Sequence, residues 1–113
     1  EEFLLLPEAT PGSTPSWFGF PITLKSNTPI ARVDLLQKLD AHKIGTRLVF
    51  AGNLVRQPYM KGRNLRISGA IENTETVMRD TFWIGVQPAL SQDMLEYSVR
   101  VIEDALGIRP LSS

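Results

Sequence analysis

Two rhythms of apolar positions alternate along this chain. From Ile30 to His42 the apolar residues Val33, Leu35, Leu36, Leu39 and Ala41 mostly follow helical spacing, with Arg32, Asp34, Lys38 and Asp40 elsewhere on the wheel. Thr28 is placed to cap that helix, Pro29 suits its first turn, and Gly45 is placed to close it. A second helix is predicted from Ser91, with Asp93 near its positive end and Met94, Leu95, Val99, Ile102 and Leu106 along one stripe. Gly107 and Pro110 stop it. A short helix of one to two turns fits Asn73 to Asp80, with Asn73 or Thr74 as its cap. Three runs are strand-like instead: Ser16 to Lys25, Thr46 to Phe50, and the apolar Thr81 to Val86. Pro21 inside the first cannot donate to a sheet ladder, so it marks an edge, a bulge or the true start of that strand.

The segments between are irregular. Phe3 to Leu6 reads as a short extended piece, ended by Pro7 and followed by a loop rich in proline and glycine. Tyr59 to Asn64 reads as a mobile loop, and Leu65 to Ile71 as a further short extended piece. The order of elements predicts an α+β domain: a small, largely antiparallel sheet of about three strands with helices on one face. We read residues 1–113 as a single domain, with 1–16 as a leading linker, 17–107 as the compact core and 108–113 as a fraying tail. The other face of the sheet has no obvious cover, which predicts packing against protein outside this sequence.

Composition narrows the partners. Twelve basic and twelve acidic side chains cancel, so no net field favours nucleic acid or an anionic membrane. The sequence contains no cysteine, which excludes a disulfide framework and any thiolate metal or iron–sulfur ligation by this chain. Phe3 to Leu6 is far shorter than the roughly 20 apolar residues that span a bilayer, and Glu1 and Glu2 have the wrong charge for a signal peptide. A cytoplasmic location is expected. The chain opens without methionine, in what reads as the middle of a strand, so a fragment of a longer protein is expected.

Candidate chemistry concentrates between Lys43 and Pro58. Arg47, Asn53, Arg56 and Gln57 are spaced along one strand-to-loop exit beside Phe50. Guanidinium forks suit phosphate oxygens, and a carboxamide can both donate to and accept from a sugar hydroxyl. The competing reading makes these residues a solvated surface beside a turn. Trp17, Phe18 and Phe20 form either core or a wall on which a sugar or cofactor ring packs, and Trp83 reads as core. The single histidine, His42, sits where an imidazolium would complement a helix C-terminus, and no second histidine supports a metal site. No catalytic residue is assigned to this chain.

The runs LPEATPGSTPSWFGFPITL, HKIGTRLVFAGNLVRQPYM and NTETVMRDTFWIGVQPAL resemble the C-terminal domain of the DegT/DnrJ/EryC1/StrS family, and within it the nucleotide-sugar 3-dehydratase branch. The likeness covers about Phe3 to Leu106. Arg47, Leu48, Val49 and Phe50 stand where sugar aminotransferases tend to carry a histidine-tyrosine-proline pattern, which favours dehydratase over aminotransferase. The resemblance implies the small domain of a fold-type I pyridoxal-phosphate enzyme, closing a substrate cleft whose large domain is absent here. It also implies O-antigen dideoxysugar chemistry on a CDP-linked 4-keto-6-deoxyglucose. In that reaction the amine of pyridoxamine 5'-phosphate condenses with the 4-keto group, the C3 hydroxyl leaves, and electrons arrive from a separate reductase through a [2Fe-2S] cluster. The base histidine and the cluster cysteines would belong to the large domain, and the full-length enzyme would be a homodimer. The substrate-binding residues it implies in this chain are Phe18, Phe20, Arg47, Phe50, Asn53, Arg56 and Gln57, with Arg47 or Arg56 on the diphosphate and Asn53 on a hydroxyl. The alternatives are the equivalent domain of a sugar aminotransferase, or a freestanding module binding a small anion or a protein.

Overall fold

The computed structural model describes residues 2–111, so Glu1 and the end of the expected tail, Ser112 and Ser113, lie outside the described residues. The elements run β1 (Leu4–Leu5), β2 (Gly19–Leu24), α1 (Arg32–Ala41), β3 (Thr46–Leu48), α2 (Glu72–Asp80), β4 (Thr81–Gly85) and α3 (Gln92–Ala105). Two short 3-10 turns, Leu54–Arg56 and Pro58–Met60, follow β3. The architecture is α+β, as the element order predicts. The sheet is antiparallel throughout, in the order β1-β2-β4-β3. Its fourth strand comes from Leu4–Leu5, which adds to β2 against Leu24 and Thr23. No helix among the described residues is long and apolar enough to cross a membrane.

Strand alternation sorts the two faces. Phe20, Ile22 and Leu24 of β2, with Phe82 and Ile84 of β4, meet Leu35 and Leu39 of α1 and Val101 and Ile102 of α3 in the core. Leu35, Leu39, Phe82 and Val101 are fully buried. Pro21 is resolved by the same register. It pairs with Trp83 on β4, while β1 reaches only Thr23 and Leu24, so β2 has one neighbour at the position that lacks an N–H.

Local chemistry sets where the helices begin and end, and several boundaries differ from the sequence expectation. Helix α1 starts at Arg32 rather than Ile30, with Ala31 at the N-cap position and no side-chain cap. Thr28 does not cap it, because its hydroxyl donates to Phe3 O at 2.7 Å and so fastens β1 to the turn after β2. Helix α2 begins at Glu72, one residue before Asn73, and is nine residues long, so neither Asn73 nor Thr74 caps it. Ser91 does cap α3, accepting from Met94 N. Both long helices end in the same motif. In α3, Gly107 takes φ +71° while Ile108 N bonds Glu103 O at 2.9 Å. In α1 the equivalent residue is Lys43, at φ 62°, with Ile44 N on Leu39 O at 2.9 Å. Lys43, not Gly45, therefore closes α1, and Ile44 packs into the core beside Leu39.

The stripe on α3 divides along its length. Ile102 and Leu106 are buried, but Met94, Leu95 and Val99 are 55%, 45% and 54% exposed. Beneath Leu95 and Val99 lies an apolar cavity of about 540 Å³ between α3, β1 and the core face of β2 and β4. Val33 of α1 also faces outward, at 58% exposure. At the other end, Leu111 N bonds Asp104 Oδ1 at 3.1 Å, which holds part of the expected tail against the core. Lys38 and Asp104 join α1 to α3 by a 2.6 Å ion pair.

Candidate functional site

The side chains expected to bind ligand separate into three places. The first is an aromatic face on the side of the sheet opposite the core, centred on Trp83. Antiparallel register puts Arg47, Trp83 and Pro21 directly across from one another, on the same face. The Trp83 ring lies against the bare backbone of Gly19. A Cβ at Gly19 would stand only 1.6 Å from Trp83 Cε3. The indole Nε1 donates to Leu48 O at 3.1 Å, which locks the ring across β3. A bend at Phe18, just before β2, brings its ring to 4.9 Å from Trp83, and the ring of Phe50 stands 6.5 Å from it. Phe18 and Phe50 are 79% and 83% exposed. Trp83, expected in the core, is thus the centre of a largely open aromatic surface.

Phe50 departs from the expected strand. Strand β3 ends at Leu48, and Phe50 adopts φ 46°, a left-handed conformation that is uncommon for an aromatic residue. The bend is tightened by Phe50 N to Leu48 O and by Gly52 N to Val49 O. Such local strain persists only where surrounding contacts hold it, and it concentrates at sites of function. One contact that holds it is Gln57, whose Nε2 donates to Ala51 O at 2.7 Å. Phe50 and Gln57 share the lining of a cavity of about 210 Å³ with Arg32, Val77 and Met78.

The second place is the turn after β3. Asn53 is only 2% exposed, and its carboxamide is engaged at both ends. Its oxygen accepts from Val55 N at 3.1 Å, opening the 3-10 turn Leu54–Arg56, and its Nδ2 donates to Glu75 Oε1. Arg56 Nε donates to the same oxygen at 2.7 Å. The Arg56 hydrogen bond, foremost among the causes, holds the Glu75 carboxyl below its ordinary value, and the same bond raises Arg56. Asn53 therefore builds the loop, whereas Arg56 is presented outward with its side chain 65% exposed. The third place is the core, where Phe20 packs beneath α3 rather than beside Phe18.

Arg47 is exposed, and its terminal nitrogen donates to Thr46 O at 2.9 Å. The structure thus brings Phe18, Phe50 and Arg47 together around Trp83, and Arg56 and Gln57 onto the adjoining loop. Sequence reasoning missed Trp83 and Glu75. Trp83 could have been found by pairing Thr46 to Phe50 with Thr81 to Val86, because that register sets Arg47 opposite it. Glu75 carries no local signal, being separated from Arg56 by 19 residues. His42 is remote from this chemistry: its Nδ1 lies 2.8 Å from Lys38 O at the end of α1. No group of three or more His, Cys, Asp or Glu that could hold a metal ion occurs among the described residues.

Comparison with known proteins gives this geometry a context. The signature of the DegT/DnrJ/EryC1/StrS aminotransferase family matches residues 2–103. The lipopolysaccharide biosynthesis protein RfbH of Salmonella typhimurium is 53% identical over 107 residues, covering 95% of this chain and 24% of that protein. The dTDP-4-dehydro-2,6-dideoxy-D-glucose 3-dehydratase of Saccharopolyspora spinosa is 44% identical over 101 residues, covering 89% of this chain and 22% of that protein. Among solved structures, the E. coli GDP-4-keto-6-deoxy-D-mannose-3-dehydratase with bound hydrated PLP superposes with a TM-score of 0.78 at 22% identity. That match covers 88% of this chain and 25% of the enzyme. The chain spans about a quarter of the length of the relatives it matches.

Proposed function

The chain belongs to the DegT/DnrJ/EryC1/StrS aminotransferase family, and on that premise we propose that it is the cleft-closing C-terminal domain of a nucleotide-sugar 3-dehydratase. The observation that carries this reading is its 53% identity to RfbH together with 44% identity to a dTDP-sugar 3-dehydratase, each over nearly the whole chain. The substrate would be a CDP-linked 4-keto-6-deoxy sugar, deoxygenated at C3 for lipopolysaccharide synthesis in the cytoplasm.

This chain's part is binding and enclosure. Arg56 and Arg47 supply guanidinium donors for the diphosphate. Phe18, Trp83 and Phe50 offer a preformed aromatic surface for the base or the sugar ring. Gln57 and Asn53 hold the loop that carries Arg56, and Phe20 supports the sheet from the core side. Closing such a surface over the substrate excludes water from the reacting carbons.

Pyridoxamine phosphate, when bound, supplies the electron sink for loss of the C3 hydroxyl. The residues of this chain do not fit the role of ligating a [2Fe-2S] cluster or of supplying the base. The sequence has no cysteine, and its one histidine is bonded at the end of α1. In this reading the cofactor, the cluster, the base and the docking site for an electron-donating reductase belong to the rest of the protein, which would dimerise. The exposed apolar half of α3, with its cavity of about 540 Å³, suits packing against that large domain.

The test is to assay the full-length enzyme with CDP-, dTDP- and GDP-linked 4-keto-6-deoxy sugars. It would be loaded with pyridoxamine phosphate and supplied with a reductase. Loss of the C3 oxygen, fastest with the CDP sugar, is expected. Amino transfer to C4 from an amino-acid donor with C3 intact would overturn the dehydratase in favour of the aminotransferase.

A further inference from the structure

We propose that Glu75 is the positioning residue for Arg56, presenting its guanidinium to the diphosphate of the ligand. The proposal rests on the reading of this loop as a nucleotide-sugar site. One carboxylate oxygen, Glu75 Oε1, receives two donors: Asn53 Nδ2 and Arg56 Nε. The two donors control different things. Asn53 is buried, and its oxygen opens the 3-10 turn on which Arg56 stands. The bond to Nε fixes the side chain itself. A single atom on α2 thereby sets both the backbone turn and the arginine rotamer.

The mode of contact matters. A guanidinium has five N–H donors in a planar fork, and a carboxylate that took the Nη edge in a bidentate pair would block an anion from it. Glu75 takes only Nε. Among the described residues Arg56 has no other partner, so its four terminal N–H donors stay available on a side chain that is 65% exposed. An isolated exposed ion pair of this kind contributes little to stability. What Glu75 adds is orientation, because an arginine already held in its binding rotamer loses less freedom when the ligand arrives. The carboxylate oxygen lies on the Nε edge, away from the fork that meets phosphate.

The experiment measures the dissociation constant of CDP for the full-length protein in five forms: wild type, Arg56→Ala, Glu75→Ala, Glu75→Gln, and the double alanine variant. Arg56→Ala should weaken CDP by about ten- to a hundredfold, the loss of a charge-assisted hydrogen-bonded contact. Glu75→Ala should weaken it by about three- to tenfold, from the restored freedom of the arginine. Glu75→Gln keeps an oxygen acceptor at the same atom and should bind within about twofold of wild type, a rescue that loss of folding would not give. The double variant should match Arg56→Ala alone, since Glu75 acts only through Arg56.

A folded Glu75→Ala protein that binds CDP as tightly as wild type overturns the inference while leaving Arg56 in the site. So does an equal loss from Glu75→Ala in the Arg56→Ala background. Wild-type binding by Arg56→Ala overturns the reading of the loop and this inference with it. Should Glu75→Ala fail to fold, Glu75→Asp takes its place in the same cycle. Its arm, shorter by one methylene, should lose Arg56 Nε and weaken CDP, and undiminished binding would again refute the role.

Discussion

Replacing Gly19 with alanine tests whether the aromatic face is built on bare backbone. The added Cβ would lie 1.6 Å from Trp83 Cε3, 2.2 Å from Cζ3 and 2.8 Å from Cδ2. Ordinary carbon contacts are about 3.5–4.0 Å, so the indole must move by roughly 2 Å. It cannot do so freely. Its Nε1 is bonded to Leu48 O at 3.1 Å, and one face is packed by Phe18 at 4.9 Å. Losing the hydrogen bond costs about 1 kcal/mol, and losing the ring pair costs about 1 kcal/mol more. Alanine recovers about 0.5–1 kcal/mol of the glycine's chain entropy. The net expectation is destabilisation by about 1–1.5 kcal/mol, with Trp83 more exposed to water. Urea unfolding followed by tryptophan emission in a Trp17→Phe background isolates Trp83. A red-shifted folded-state spectrum and an earlier midpoint are expected. If Gly19→Ala unfolds within a few tenths of a kcal/mol of its parent with an unchanged spectrum, the ring is not seated on Gly19 and the platform argument fails.

Three further outcomes follow from other parts of the molecule. Lys43→Gly should raise stability by about 0.5–1 kcal/mol, because a lysine at φ 62° carries a left-handed strain that glycine does not; a lower urea midpoint would contradict it. Leu39→Ala, at a fully buried position shared by α1 and the sheet, should cost about 2–5 kcal/mol by the same measurement. Glu75 and Asp104 have carboxyls held below their ordinary values by Arg56 and Lys38 respectively. Their contribution is therefore present above the ordinary carboxylate range and is lost as the pH falls below about 4. Thermal unfolding across pH 2–7 should show this acid limb, and Glu75→Gln should make it shallower; an unchanged slope would show that Glu75 titrates alike in both states.

Much of the fold was legible because it depends on local pattern. The three main strands, both long helices and the cap at Ser91 were written in periodicity and in residues such as Gly107. What failed locally did so for tertiary reasons. Thr28 looks like a helix cap, but Phe3 O offers its hydroxyl a partner across the sheet edge. Lys43 occupies a position where glycine is expected because Ile44 is drawn into the core beside Leu39, and that burial offsets the strain. The α3 stripe is buried only at Ile102 and Leu106; spacing reports which face is apolar and cannot report how far along the helix the sheet extends.

The site shows a deeper limit. Arg47, Asn53, Arg56 and Gln57 are all polar residues on one stretch, and composition gives each the same claim to a ligand. The fold divides them by where their partners lie. Asn53 meets Glu75 and Val55, Gln57 meets Ala51, and both are turned into the loop's own framework. Arg56 meets Glu75 only through Nε and remains presented to solvent. A binding loop needs both kinds of residue, because a donor can be aimed only if something else holds the backbone beneath it. Aromatic residues divide by the same logic. Phe18 and Phe20 are two apart, which in a regular strand would set them on one face, yet the bend at Phe18 sends one ring to Trp83 and leaves the other in the core. Which of two like residues is presented to solvent and which supports the fold is decided by contacts made across the sheet or from α2.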